Sequence, residues 1–122
     1  MRILTTCVVV LMIAALASAA GPATGDWTSL IKVRDIELRL ALHVKETTTG
    51  LEATFDSIDQ KVFGMPVDKI EFKGQQLSFD LTSIQATYKG TLDKAGTRIT
   101  GTWSQLGMDF PLDFQKAAPS KR

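Results

Sequence analysis

The chain has one cysteine and one histidine in 122 residues, and both scarcities exclude chemistry. The cysteine, Cys7, lies in an N-terminal segment read below as removable, so no disulfide is available to staple the fold and the core alone must hold it. A single imidazole cannot build a multi-histidine zinc centre. No Gly-x-Ser-x-Gly nucleophile elbow occurs anywhere in the chain. Charge of one sign is also lacking: 14 basic residues face 13 acidic ones, for a formal net charge of +1. The two signs are interspersed, without the basic stripe that nucleic-acid binding requires. The longest apolar run, Cys7 to Leu16, falls short of the roughly 20 residues that span a bilayer as a helix.

That run has a different reading. Arg2 precedes it, and Ala17, Ser18, Ala19 and Ala20 follow it at once. This is the layout of a secretory signal peptide over residues 1–19, with cleavage after Ala19 or Ala20. Cys7 stands before the apolar run rather than after it, which argues against a lipid-modified cysteine. Cleavage leaves roughly 100 residues, one domain, large enough to bury a core without disulfides. It also removes Arg2 and with it the excess charge. An exported domain without cysteine points to a bacterial periplasm or bacterial secretion. Residues 20–25 read as a flexible N-terminal arm, 26–116 as the domain and 117–122 as a flexible tail carrying Lys121 and Arg122.

Between Ile36 and Phe114 nearly every short segment alternates apolar and polar residues with period two. Such alternation describes antiparallel strands with one buried face. Ile36, Leu38, Leu40, Leu42 and Val44 point one way, against Glu37, Arg39, His43 and Lys45. Leu51, Ala53 and Phe55 resume the apolar row after a turn at Thr47–Gly50. Further rows run through Ile70 and Phe72; Leu77, Phe79 and Leu81; Ile84, Ala86, Tyr88, Gly90 and Leu92; Ile99, Gly101 and Trp103; and Met108, Phe110, Leu112 and Phe114. Val67 is out of phase with Ile70, which a bulge or a late strand start would repair. With Trp27–Val33 in front, the pattern predicts eight strands, short connections and no amphipathic helix. The fold class is all-β, an antiparallel up-and-down barrel, with a small β-sandwich as the alternative. An outer-membrane barrel would turn its apolar side to lipid and keep small or polar residues inside. Five phenylalanines and two tryptophans on the apolar face are too bulky for that lumen.

Few residues are equipped for reaction chemistry. His43 falls on the polar side of its strand, where a nucleophile and carboxylate would have to gather outside the sheet. The region around Asp56, Asp59 and Gln60 is too sparse for the six to eight oxygens of a calcium site. Asp56, Ser57 and Asp59 are expected to shape their loop by bonding backbone groups. No catalytic residue, metal ligand or cofactor is assigned. Binding is the better-supported role. Trp27, Phe79, Tyr88 and Trp103 either line a ligand cavity or plug the core, with the small inward residues Ala53, Ala86, Gly90 and Gly101 leaving room for one or the other. Val62, Phe63 and Met65, in the loop expected over Ser57–Pro66, either fold under the barrel or form an exposed lip for a partner.

Gly25-Asp26-Trp27 resembles the Gly-x-Trp signature that opens the first strand of lipocalins. Longer stretches extend the likeness: Asp56-Ser57, Asp59-Gln60, Gly64 and Pro66-Val67; then Tyr88-Lys89-Gly90-Thr91-Leu92, Gly96, Ile99, Gly101-Thr102-Trp103, Gly107 and Pro111-Leu112. With the Leu38–Val44 strand, these look like a lipocalin-like, non-catalytic β domain that precedes the catalytic domain in many secreted bacterial α/β hydrolases. The likeness covers about Asp26 to Lys116, and this chain ends where the hydrolase would begin. It implies an accessory domain with no catalytic residue. The expected function is a non-enzymatic exported binding domain, with a small apolar ligand or an exported protein partner such as a hydrolase or other periplasmic enzyme.

Overall fold

A computed structural model describes residues 23–117; the expected signal segment and most of the expected tail lie outside them. The alternating segments form nine strands: β1 Gly25–Val33, β2 Ile36–Thr47, β3 Gly50–Ser57, β4 Val62–Pro66, β5 Lys69–Lys73, β6 Gln76–Leu81, β7 Ala86–Leu92, β8 Arg98–Gln105 and β9 Met108–Lys116. They make one antiparallel sheet in the order β4-β3-β2-β1-β9-β8-β7-β6-β5. The fold is therefore all-β, a single sheet curled as a half-barrel and consistent with a lipocalin-like barrel. The first and last strands of the chain pair in the middle of this sheet, Trp27 opposite Lys116 and Ser29 opposite Phe114.

The ninth strand is β4, where a loop is expected. A 3-10 turn at Ile58–Gln60 reverses the chain, and Lys61 closes it in the left-handed region with its amide on the Ile58 carbonyl at 3.0 Å. Val62–Pro66 then pairs with β3, Met65 opposite Phe55. The phase break between Val67 and Ile70 marks a change of partner. The Val67 amide donates to the Ala53 carbonyl of β3, and the next amide, Asp68, donates to Asp80 of β6. β4 and β5 run in the same direction and share no ladder, like two halves of one interrupted strand. Within the β3–β4 pair the register shifts between Phe55 and Ser57.

The expected arm over 20–25 is tied down where it is described. Ala23 is buried and its carbonyl accepts the Trp27 indole N–H at 2.9 Å. The Lys116 ammonium donates to the Thr24 carbonyl at 2.6 Å and lies 4.9 Å from the centre of the Trp27 ring. These contacts cap one end of the barrel with a polar bond, a cation and an indole face.

Strict alternation, clearest in β7, places Trp27, Leu42, Phe55, Phe79, Tyr88 and Phe114 inside with almost no exposure. Gly90 and Gly101 face each other across β7 and β8. A Cβ at Gly101 would sit 2.6 Å from the Tyr88 hydroxyl and collide with the Lys89 carbonyl; one at Gly90 would sit 2.7 Å from that hydroxyl. The pair therefore makes space for the Tyr88 phenol, which donates to the Leu112 carbonyl at 2.8 Å. Burial pushes the phenol's pKa above its ordinary value, so it keeps its proton. Gly101→Ala is expected to lower stability by about 1–3 kcal/mol through overpacking, and Tyr88→Phe by about 1 kcal/mol through one lost hydrogen bond. Urea unfolding midpoints check both.

Candidate functional site

One end of the barrel remains open. It is bounded by the β1–β2 hairpin, the 3-10 turn at Ile58–Gln60, a second 3-10 turn at Thr82–Ile84 and the β8–β9 turn. The inward rows overrun the packed core at this end. Ile36, expected inward, is 59% exposed, whereas Leu38 is half-buried. The result is a cavity of about 500 Å³, within the ~300–1,000 Å³ of ordinary ligand pockets. Phe55 and Trp103 form its aromatic wall, with ring centroids 5.3 Å apart. Leu38, Val62, Met65 and Ile84 line other sides, and Leu106 and Met108 lie at the β8–β9 turn.

The polar groups of the cavity are mostly engaged with one another. The Trp103 indole N–H donates to Gln105 Oε1 at 3.1 Å, and the Gln105 amide donates to the Ile84 carbonyl at 2.9 Å. Gln105 thereby fastens the second 3-10 turn to β8. Ser57, 6% exposed, donates its hydroxyl to Gln60 Oε1 at 2.6 Å. No charged side chain lines the cavity.

The four expected ligand-contact residues do not share one surface. Trp103 lines the cavity, while Trp27, Phe79 and Tyr88 are enclosed in the filled part of the barrel. Phe79 packs behind Phe55, at 6.4 Å between centroids, and stacks on Tyr88 at 5.3 Å. The partner-contact residues divide as well. Val62 and Met65 line the cavity, whereas Phe63 is 63% exposed. The sequence reading missed Phe55, Gln60, Ile84 and Gln105 as cavity residues. Their only advance signal was position: each lies within a few residues of a turn at the open end.

A second depression, about 560 Å³, lies on the outer face beside Thr28, Arg39, Pro111 and Asp113. Its charged walls are already paired. Arg39 binds Asp59 at 2.7 Å, and Arg98 binds Asp113 at 3.0 Å. The Asp59 bond lowers that carboxyl's pKa below the usual range. The acidic residues at 56 and 59 do shape their loop: Asp59 accepts the Arg39 amide, and Asp56 accepts the Gly64 amide of β4, both at 2.8 Å. Among the described residues, no group of three or more His, Cys, Asp or Glu is arranged to hold a metal ion. No described helix is long and apolar enough to cross a membrane.

Strand register brings His43 between two carboxylates on the outer face. Asp26 stands opposite it on β1 and Asp56 lies on β3. Nδ1 meets Asp26 and Nε2 meets Asp56, each at 2.8 Å. Two carboxylate acceptors favour the doubly protonated ring, which leaves neither nitrogen free to serve as a general base.

The His43 pKa is raised, first by the hydrogen bond to Asp26, against partial burial, and then by the hydrogen bond to Asp56 and the two negative charges. A histidine whose native pKa exceeds its unfolded value stabilises the fold fully below the unfolded value, about 6.5. That contribution disappears as pH rises through the raised native value. The stability difference between the protein and His43→Gln is therefore expected to be largest near pH 5 and to shrink toward pH 9, as measured by urea unfolding at stepped pH.

No protein-family model matches this chain, and no curated protein matches it significantly.

Proposed function

We propose that this protein is a non-enzymatic, exported binding domain that holds one small apolar molecule in the barrel mouth. The apolar cavity of about 500 Å³, with its polar groups largely engaged by one another, carries the reading. Such walls gain free energy when they exchange water for an apolar ligand. Export rests on the residue pattern from Met1 to Ala20. The absence of catalysis in this reading rests on His43, whose ring nitrogens both face carboxylates.

A second reading is a module that binds an exported protein, such as a periplasmic enzyme or a hydrolase. Phe63, Leu106 and Met108 favour it, since all three are more than half exposed. The resemblance to the hydrolase-associated β domain favours it too.

Titration with a neutral naphthylamine probe separates the readings. Probe fluorescence is expected to rise on binding, with energy transfer from Trp103. Val62→Trp fills the mouth and is expected to weaken binding about tenfold, or ~1.4 kcal/mol, without lowering the thermal midpoint. Absence of probe binding would overturn the first reading. Phe63→Asp should leave probe affinity unchanged. If that substitution instead released an exported protein partner while the probe still bound, the second reading would stand beside the first.

A further inference from the structure

We infer that the mouth cavity selects uncharged ligands: an apolar body carrying one neutral hydrogen-bond acceptor, such as an ester, aldehyde or ketone, read by the Gln60 amide. This rests on the binding role proposed above and specifies its ligand class.

The inference follows from the polar groups that border the cavity. Gln105 uses its carbonyl for Trp103 and its amide for Ile84. Ser57 has one proton and gives it to Gln60 Oε1. The donors left over are the second N–H of Gln105 and the Gln60 amide nitrogen, whose two hydrogens have no described protein acceptor and which stands exposed at the rim of the mouth. A ligand completes this arrangement by offering an acceptor. A ligand offering only donors, or none, leaves the amide to the water at the rim and forgoes that hydrogen bond, so it binds more weakly than one that supplies an acceptor.

Charge sets the other half of the selection. An ionised carboxylate entering the cavity must shed water and find a cation. None is present among the lining residues. The Arg39 guanidinium is held by Asp59 on the outer face. Lys61 follows Gln60 but is exposed and does not line the cavity. It can meet an anion outside the mouth, where water has not been lost and the pairing is weak. The cavity therefore discriminates by desolvation rather than by repulsion. The volume admits one compact ligand rather than a lipid with several chains.

The test displaces the neutral naphthylamine probe with methyl decanoate and with decanoate at pH 7.5, using the intact protein, Gln60→Leu and Gln60→Lys, with a thermal midpoint for each. Methyl decanoate is expected to compete at least about tenfold more tightly than decanoate in the unaltered protein. Gln60→Leu should lose about five- to tenfold for the ester relative to the probe, whose own affinity in each variant is measured by direct titration. Gln60→Lys should reverse the preference by supplying a cation, and it serves even if the leucine variant fails to fold. Equal competition by both compounds, or an ester affinity unmoved in Gln60→Leu, would overturn the ligand class while leaving the binding role intact. Exclusion of the probe by the unaltered protein would overturn both. If that exclusion accompanied a concentration-dependent doubling of mass, a second copy of the chain would be the occupant of the mouth instead.

Discussion

A chain of five aromatic rings decides how much of this barrel is filled. Trp103 meets Phe55 at 5.3 Å, Phe55 meets Phe79 at 6.4 Å, Phe79 meets Tyr88 at 5.3 Å, and Tyr88 meets Phe114 at 5.1 Å in an edge-on contact. Rings this large fit the interior of a small barrel only where the wall gives way, and Gly90 and Gly101 supply that room beside the Tyr88 phenol. The chain of contacts stops at Phe55 and Trp103. Beyond them the cavity is lined mostly by aliphatic side chains and methionines, with Phe110 and a few polar groups, and these leave space unfilled. The filled part supplies cohesion, and the Phe55–Trp103 pair forms the wall of the unfilled end.

The outer face fastens the sheet where its ladder is weakest. β4 and β5 are its two edges, and edges are prone to fraying or to pairing with other chains. Asp56 spans this weak point: one oxygen holds the Gly64 amide of β4 and the other holds His43 of β2, which in turn reaches Asp26 of β1. Asp68, at the junction between β4 and β5, accepts both the amide and the hydroxyl of Thr82 at 2.7 Å and so pins the second 3-10 turn. Polar side chains thus hold the two turns that border the cavity. His43, Asp56, Asp59 and Asp68 are all engaged in bonds that fix the strands and turns.

Strand identity was legible because side-chain alternation is a local property, visible within six residues in segments such as Ala86–Leu92. β4 was not, because Gly64 and Pro66 read as loop residues and its pairing depends on the distant contact of Met65 with Phe55. The distinction between Trp103 and the enclosed Trp27, Phe79 and Tyr88 was invisible to period-two patterning. All four point inward, and only height along the barrel separates cavity wall from filled core. Trp103 lies near the β8–β9 turn, and that spacing was the available clue. The partners of His43 were recoverable in part. Counting pairs back from Val33 opposite Ile36 places Asp26 opposite His43; the reach of Asp56 across β3 depends on side-chain geometry that no pattern encodes.

These features leave one end of the sheet unpacked and bordered by turns that polar bonds pin in place; in the proposed function that end holds the ligand. Native mass spectrometry of the protein isolated from its own source tests this account most directly, with the same sample measured again after denaturation. The account predicts an added mass of a few hundred daltons that denaturation removes. The bare mass in both measurements, together with a cavity that small apolar compounds do not enter when added, would contradict it.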